Sequence, residues 1–519
     1  MRLYGLLAVY LLCFPWRSFG QVQEAFTVTD KPLRIEIPVQ SDKETYRIIP
    51  CDSAGMILFF KSVEVTPENA TRWYFSYFDR NLQRVWVKSA PILSFLNFRE
   101  SFVESDTLYL CFESDKKQKN SEINFQILRI VLLSGSFILN NGKIPEQGVI
   151  SSFTAGNQKA LLGLNNNEHK PSILIMDLPT GQSSVIPLMP NDQSTLLYGP
   201  DEPLSGTLTL LISKMISKRS SELYLAKYQT DGTLVSETKI TGNNPSYEIT
   251  SAILTDIGES ETMIAGVYSA IPSGKKNRET GSTGFTTISF VSVVQKSIDY
   301  YNFLDMKNIQ QLLSEQDLLS LRKKSMKKSH ADQEYSLDFS LLLHDIMEWE
   351  DQFILAAEAY FPQYHTESFT DYDFYGRPYT NSYSVFDGYR FTGVILAGFN
   401  KEGKLIWDNS MRINNLISFS LDPKVTLYPS GDELILTYLS EGKIACRIIR
   451  ESETVEKTTY SEMELMSPND KLLDESGSSM VYWYDDFFLC SGYQEIRDIS
   501  KGGNDKRMVY FCNKVQFDR

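Results

Sequence analysis

One short pattern returns along most of this sequence: an alternating apolar run, a turn with Asp, Asn or Gly, and a second apolar run. Three copies are YFSYFDRNLQRVWVKS (74–89), YLAKYQTDGTLVSETKI (224–240) and VILAGFNKEGKLIWDNS (394–410). Gly, Asn and Asp tolerate the positive φ of a tight reversal, so each copy predicts a β-hairpin. Hairpins recurring at a coarse period indicate a repeat architecture, in which no single repeat buries its own apolar face.

The spacing of the turns predicts the overall fold. Residues 21–519 divide into about eight strand-rich segments of roughly 45 to 60 residues, a pitch typical of propeller blades. Strand-like sequence also occurs at 33–39 (LRIEIPV) and 508–517. An N-terminal strand that completes the last blade would close the ring and cover its exposed edge. We therefore predict an all-β fold, one β-propeller domain with seven or eight blades. Two separate β-sandwiches are the alternative, because short alternating strands suit either fold.

Composition narrows the function classes. The 519 residues are 42% hydrophobic and 22% charged, enough for a sizeable core. The formal net charge of −14 argues against a nucleic-acid partner, because nucleic-acid binding depends on cationic side chains that displace counterions from phosphates.

Residues 1–20 have the pattern of a signal peptide. Arg2 precedes an apolar run at 3–14, and Ser18 and Gly20 occupy the −3 and −1 positions of a cleavage site. The apolar run is shorter than the roughly 20 residues needed to span a bilayer. We expect an exported, soluble protein that does not itself span the membrane; an uncleaved anchor is the alternative.

One segment, 305–328, breaks the strand pattern. Ile309, Leu312 and Leu313 recur at helical spacing, which predicts a short helical insertion. A basic cluster follows at Arg322, Lys323, Lys324, Lys327 and Lys328. It is interpreted either as a solvated helix end, where cations oppose the helix dipole, or as a docking element for an anionic partner.

Residues that carry catalysis are scarce. The only histidines are His169, His330, His344 and His365, and no GxSxG elbow, zinc-spaced CxxC pair, Walker loop or EF-hand loop occurs. We therefore predict no catalytic, cofactor-binding or metal site, and no cofactor. The densest polar group is His344, Asp345, Glu348, Glu350 and Asp351, which is expected to surround a hairpin turn.

Five cysteines follow the predicted signal peptide: Cys51, Cys111, Cys446, Cys490 and Cys512. Most lie in apolar runs and are expected to be small buried hydrophobes. A disulfide between Cys490 and Cys512 is left open, because sequence alone does not assign one.

The most individual stretch is 356–391, which is dense in tyrosine and phenylalanine. Within it we predict a long loop at 360–388. Large amphipathic rings suit a binding surface. The predicted partner-binding residues are Tyr360, Phe361, Tyr364, Tyr372, Phe374, Tyr375, Arg377, Tyr379 and Tyr383. The alternative is a long ordered hairpin whose rings cover the flank of the propeller itself.

This stretch, continuing into GVILAGFNKEGKLIWDNS, resembles a family of uncharacterised exported Bacteroidetes proteins with propeller-like repeats, most strongly over roughly 353–410. The resemblance carries no catalytic residues. It implies a place in the periplasm or at the periplasmic or outer face of the outer membrane. We expect a non-enzymatic interaction or scaffold subunit that docks on a larger outer-membrane assembly, such as a secretion or import pore. The alternative is a carbohydrate-active or carbohydrate-binding propeller with acids and aromatics in an axial pocket.

Overall fold

The computed structural model describes residues 27–28, 34–39, 45–114, 123–145, 148–200, 206–217, 220–242, 244–258, 260–270, 281–312, 340–372, 374–501 and 505–517. Over these residues the chain forms 34 strands in eight antiparallel sheets. The predicted signal peptide, 1–20, lies outside the described residues.

The sheets are the blades of a β-propeller, and the first three are simple antiparallel meanders. Blade 1 contains β3 (Thr45–Cys51), β4 (Gly55–Val65), β5 (Ala70–Phe78) and β6 (Arg84–Leu93). Blade 2 contains β7 (Leu96–Glu104), β8 (Thr107–Ser114), β9 (Phe125–Val131) and β10 (Phe137–Gly142). Blade 3 contains β11 (Val149–Gly156), β12 (Lys159–Asn165), β13 (Ser172–Asp177) and β14 (Ser183–Pro187).

Blades 4 to 6 continue the order, with one added strand and two very long ones in blade 6. Blade 4 contains β15 (Ser194–Tyr198), β16 (Thr207–Ser217), β17 (Ser220–Gln229) and β18 (Leu234–Lys239). Blade 5 contains β19 (Tyr247–Gly258), β20 (Glu261–Ala270), β21 (Gly284–Val291) and β22 (Val294–Asn302). Blade 6 contains β23 (Ser340–Leu343), β24 (Met347–Trp349), β25 (Gln352–Tyr372), β26 (Pro378–Phe399) and β27 (Leu405–Ser418).

The last two blades complete the circle. Blade 7 contains β28 (Thr426–Ser430), β29 (Glu433–Ser440), β30 (Lys443–Arg450) and β31 (Glu453–Glu462). Blade 8 contains β32 (Asp470–Tyr484), β33 (Phe487–Asp498) and β34 (Lys506–Gln516), joined by the N-terminal strands β2 (Arg34–Pro38) and β1 (Thr27–Val28). The first strands of blades 8 and 1, β32 and β3, lie side by side.

The core confirms the ring and excludes two sandwiches. Each of its eight apolar clusters is shared by two neighbouring blades, from the cluster of blades 1 and 2 around to that of blades 8 and 1. No blade is packed alone, as the repeat pattern requires. The predicted all-β propeller is therefore confirmed, with eight blades.

Ring closure by the N-terminus also appears as predicted. Strand β2 pairs antiparallel with β34, so that Ile35 lies opposite Cys512 and Ile37 opposite Tyr510. The two isoleucines enter the core between blades 8 and 1. Because β2 pairs with β34 from Val509 to Asn513, it covers the middle of what would be the free edge of the last blade.

A polar contact recurs between neighbouring blades. At five of the eight junctions, a side chain of the second strand of one blade forms a hydrogen bond with a residue at or near the first strand of the next blade. The pairs are Lys61 Nζ with Asn97 Oδ1 (3.1 Å), Glu113 with the Ile150 N–H (3.0 Å), Asn165 with the Leu196 N–H (2.8 Å), Glu358 with the Lys424 N–H (2.8 Å), and Tyr493 with the Tyr46 N–H (2.6 Å). The first of these bonds joins two side chains, and the other four satisfy backbone N–H groups where the chain enters a new blade.

The predicted helical insertion at 305–328 is wrong over the part that the structure describes. Only Ile309–Leu312 is helical, as one 3-10 turn, and the rest of the segment lies outside the described residues. Asp408 accepts hydrogen bonds from the Lys307 and Asn308 N–H groups at 3.2 and 2.6 Å, and Ile309 enters the core of blades 5 and 6. These contacts hold residues 307–309 against β27, because the acceptor Asp408 belongs to that strand.

The five cysteines that the structure describes are free thiols. Cys490 lies opposite Asn513 and Cys512 opposite Ser491, so the two cysteines point to opposite faces of the blade 8 sheet. They enter different cores, one between blades 7 and 8 and the other between blades 8 and 1. A Cys490–Cys512 disulfide is therefore excluded by the strand register.

We expect a reducing agent to leave the melting temperature unchanged, because none of the five thiols is paired. Burial raises the pKa of Cys51, Cys446 and Cys512 to about 12, so these thiols should not react with iodoacetamide until the protein unfolds. Scanning calorimetry with and without dithiothreitol, and mass spectrometry of alkylated protein, check both points. A drop in melting temperature on reduction would contradict the free-thiol assignment.

Candidate functional site

The tyrosine-rich segment is a projecting hairpin, and not the long loop predicted at 360–388. Strands β25 and β26 are 21 and 22 residues long, whereas β23 pairs with β25 only as far as Tyr360 and β27 pairs with β26 only from Tyr389. Beyond these points the two strands pair only with each other within the described part of the chain. We call residues 361–372, 374–377 and 378–388 the ribbon. Gly376, at φ +74° in open space, allows the turn at its tip.

A chain of rings anchors the base of the ribbon to blades 6 and 7. Phe391 is buried in their shared core, and Tyr360 packs against it with ring centroids 6.0 Å apart. Tyr389 lies 5.7 Å from Tyr360 and 5.1 Å from Phe386, which in turn lies 5.4 Å from Tyr364. Edge-to-face and tilted contacts of this kind stabilise a hairpin at its base.

One face of the ribbon combines acids with rings, and we call it the acidic face. Residues directly opposite in an antiparallel pair share a face. Glu367 opposes Tyr383, and Asp371 opposes Tyr379. In each pair the tyrosine hydroxyl donates to the carboxylate, at 3.2 Å for Tyr379. The ring of Phe369 lies 6.2 Å from that of Tyr383.

A histidine completes this face. His365 contacts Asp387 through Nδ1, and its Nε2 lies 3.4 Å from Glu367. The hydrogen bond to Asp387, and then that to Glu367, raises the pKa of His365. The hydrogen bond from Tyr383, and then that to His365, lowers the pKa of Glu367. Glu367 therefore keeps its negative charge, and the exposed face has an acidic character.

The opposite face of the ribbon carries a ladder of hydroxyl groups, and we call it the hydroxyl face. Thr366 lies opposite Ser384, Ser368 opposite Ser382, and Thr370 opposite Thr380. All six residues are exposed. Tyr364 with Phe386 bounds the ladder at the base, and Tyr372 with Pro378 bounds it at the tip.

The structure distributes the nine predicted partner-binding residues over three parts of the ribbon and its base. Phe361, Tyr379 and Tyr383 project on the acidic face; Tyr360, Tyr364 and Tyr372 project on the other; Phe374, Tyr375 and Arg377 form the tip. Tyr360 is half-buried, and the other eight are exposed, up to 98% for Phe374. Sequence reasoning missed Glu367, Asp371 and Asp387. Glu367 and Asp371 are four residues apart on β25, an even spacing that places both on one face of a strand, whereas Asp387 comes from β26.

The predicted polar group at 344–351 divides into two parts. Glu350 and Asp351 form the turn between β24 and β25, as predicted. His344 instead contacts Glu358, whose side chain is fully buried, with Nε2 2.8 Å from Oε1. The same oxygen accepts hydrogen bonds from the Lys424 and Val425 N–H groups at 2.8 and 2.7 Å. Through these hydrogen bonds, Glu358 links blade 6 to the start of blade 7.

Acidic residues of separate blades act on one carboxylate. Burial raises the pKa of Glu100 on β7, Arg99 opposes the rise, and Asp345 and Asp422 add to it. Glu100 belongs to blade 2, Asp345 lies between β23 and β24 of blade 6, and Asp422 lies between blades 6 and 7.

Three further features of the described residues concern metal binding, membrane spanning and a cleft. No three His, Cys, Asp or Glu side chains in the described ranges are grouped to hold a metal ion. A search of the described part of the chain finds no helix with the length and apolar character needed to cross a membrane. A cleft of about 290 Å³ lies at the outer side of blades 7 and 8, lined in part by Arg34, Met463 and Asn513. Arg34 there is bonded to Glu36, Asn513 and Gln494.

Comparison with known proteins gives no family. No family model matches the sequence, and no curated protein matches it. Among solved structures, the chain is similar to the polysaccharide lyase Uly1, at 11% identity and a TM-score of 0.38 over 80% of this chain and 89% of that chain. It is also similar to the β-propeller domain of the Trilobed protease from Pyrococcus furiosus, at 10% identity and a TM-score of 0.32 over 80% and 97%. A third match is the dihydro-heme d1 dehydrogenase NirN, at 10% identity and a TM-score of 0.38 over 83% and 78%. Likeness at this level carries no information about activity.

Proposed function

We propose that this protein is a non-enzymatic interaction subunit that binds a protein partner through its ribbon. The observation that carries the proposal is the exposure of the ribbon's rings: Tyr364, Tyr372, Phe374, Tyr375, Tyr379 and Tyr383 are each 45% exposed or more. A two-stranded hairpin is only marginally stable alone, and clustered exposed rings mark interaction surfaces. Rings of this kind supply most of the binding energy at interfaces.

The proposed setting is the cell envelope. The signal-peptide pattern at 1–20 supports export, and the propeller supplies a rigid body from which the ribbon projects. We propose docking on a larger outer-membrane assembly, such as a secretion or import pore, from the periplasm or the outer face. The ribbon is suited to that role because it extends beyond the sheet that supports it.

Ribbon substitutions should reduce partner binding and leave folding intact. Replacing Tyr372, Tyr379 and Tyr383 with Ala should each cost about 1 to 4 kcal/mol of binding. The melting temperature should change little, because these rings do not enter the core. The tagged protein is recovered from native envelope membranes, and the partners retained by each variant are quantified by mass spectrometry.

A matched control replaces exposed rings elsewhere on the propeller. Phe137 and Tyr460 are 40% and 49% exposed and lie on blades 2 and 7, so their replacement by Ala should not affect recovery of the partner. If the ribbon variants are less stable and recovery falls only in proportion to that loss, the rings support the fold and the interface proposal is wrong.

A carbohydrate-binding or carbohydrate-active site at the ring axis is the second candidate, favoured by the electrostatic influence of Asp345 and Asp422 on Glu100, an acid of another blade. Paired carboxylates are the groups that glycoside cleavage uses. A glycan panel tests the purified protein for binding and turnover. If the protein cleaves a glycan, Glu100→Gln abolishes that activity and the ribbon variants stay fully active, the carbohydrate-active function replaces the interaction proposal.

A further inference from the structure

Among the described residues, neither edge of the ribbon is paired with a further strand. Strand β25 has no described partner on its outer side beyond Tyr360, and β26 has none from Pro378 to Gly388. The outward N–H and C=O groups of these strands therefore have no partner from any described strand. Such an edge is a template for strand addition.

The middle of the ribbon lacks two common defences of an open edge, lysine and proline. Natural edge strands carry lysine, proline or short length to prevent pairing with other chains. Residues 361–388 contain no lysine, and their only prolines, Pro362 and Pro378, lie at the base and the tip. The long middle part of each strand is thus free to pair.

The edge of β26 is the better docking site of the two. Strand β27 runs along β26 and ends opposite Tyr389 at Ser418, so a strand added to 378–388 would continue the line of β27. At the junction lie two exposed apolar side chains, Ile417 at 39% and Phe419 at 75% exposure. The ring centroids of Phe419 and of Phe386 in the ribbon lie 6.2 Å apart. The end of an added strand would pack against this apolar surface.

The acidic residues of the ribbon favour a partner segment with basic side chains. Glu367, Asp371 and Asp387 all project on the acidic face, beside the exposed rings of Tyr379 and Tyr383. Carboxylates next to aromatic faces attract Lys and Arg through both ion pairing and cation–π contact. On the hydroxyl face, small or apolar side chains would pack against Ser384, Ser382 and Phe386.

We propose that the outer edge of β26, residues 378–388, binds an extended basic segment of a partner protein by strand addition. The bound segment alternates basic residues, over the acidic face, with small or apolar residues over the hydroxyl face. This inference rests on the proposed function, because it names the chemistry of the partner that the ribbon binds.

The test uses the purified full chain and synthetic ten-residue peptides of alternating Lys and Thr, labelled with fluorescein. Fluorescence anisotropy should show binding that weakens with salt, as for exposed ion pairs. Two further peptides carry backbone N-methyl groups on the Lys residues or on the Thr residues. Strand addition uses alternate N–H groups, so one methylated peptide should bind and the other should not. Equal binding of both would show adhesion by charge alone and overturn the proposal.

Charge variants locate the peptide site. Replacing Glu367, Asp371 and Asp387 with Gln, Asn and Asn should weaken binding by about tenfold or more. The matched control neutralises Glu453, Glu456 and Glu462, exposed on β31 of blade 7, and should retain binding. Loss of binding in both triple variants would show that net charge matters and position does not, which would overturn the proposal.

Two outcomes separate this inference from the proposed function. If the native partner is lost in the tyrosine variants but no peptide binds and the acid variants recover the partner normally, only strand addition fails. If neither the tyrosines nor the acids affect recovery, both proposals fail. Analytical ultracentrifugation of the full chain tests for a second copy as occupant. A dimer that dissociates when Asn-Gly replaces residues 364–387 would assign the edge to self-association and overturn the proposal.

Discussion

Replacing Ile35 and Ile37 together with Ala should lower the free energy of unfolding by about 4 kcal/mol or more, since each buried Ile-to-Ala change costs about 2 to 5 kcal/mol. Both side chains are almost fully buried, at 1% and 2% exposure, in the core between blades 8 and 1. The loss should extend beyond one strand, because that core joins the two ends of the chain. A ring whose closing strand is loosened can open at that junction.

The control for this variant is chemically identical and lies on the surface. Ile138 and Ile216 are 51% and 52% exposed on blades 2 and 4, and their replacement by Ala should cost little. Urea unfolding of both double variants measures the difference. A deletion of 27–38 should be less stable than the Ile35, Ile37 variant, since it also removes the β2–β34 hydrogen bonds. Stability close to that of the unaltered chain in the double variant would mean that β2 does not hold the ring closed.

The polar face of β2 illustrates what the sequence did not reveal. The alternation in LRIEIPV correctly predicted a strand, yet it gave no reason to bury Arg34 and Glu36, which are 4% and 3% exposed. Their ion pair, at 2.8 Å, is completed by Gln494 and Asn513, more than 450 positions away in the chain. A buried charge needs such partners, and only the closed ring brings them together.

The ribbon was misassigned for a related physical reason. Tyr and Phe have high strand propensity, but the chain must bend at Gly376–Pro378, and strands usually contain about five or six residues, so a loop was predicted. Strand β25 is 21 residues long. Register shifts at Ala359/Tyr360 and Gln363/Tyr364 place the extra residue on β26 and keep the rings of β25 in two regular rows. Periodicity alone cannot reveal such bulges, because they depend on the partner strand.

Glu358 shows the same limit at the junction of blades 6 and 7. In the sequence it lies in an apolar run, FILAAEAYF, where nothing indicates that one carboxylate oxygen would accept two backbone N–H groups and contact His344. Glu113 accepts the Ile150 N–H at the equivalent junction of blades 2 and 3. The recurrence is visible only when the two acids are compared by their strand positions in the blades. The number of residues between the acid and the N–H group that it accepts differs between the two junctions.

Glu358→Ala should destabilise the protein by about 3 to 5 kcal/mol, the usual cost of removing one partner from a buried charged network. Two buried N–H groups, of Lys424 and Val425, would lose their acceptor. Lys424 would also lose a nearby negative charge: burial lowers the pKa of its ammonium group, while Asp422 and Glu358 oppose that effect. Glu358→Gln keeps an oxygen for the N–H groups and should lose less, about 1 to 3 kcal/mol.

Hydrogen exchange makes this prediction specific to one junction. In Glu358→Ala the amides of Lys424 and Val425 should exchange faster than in the unaltered chain, whereas the Ile150 amide, held by Glu113, should keep its protection. Glu456→Ala, on the exposed strand β31, is the control and should change neither stability nor exchange. If Glu358→Ala unfolds at the same urea concentration as this control, blades 6 and 7 are held by their shared apolar core alone. The buried carboxylate would then contribute nothing to closing the ring, and the same role for Glu113 would have to be abandoned with it.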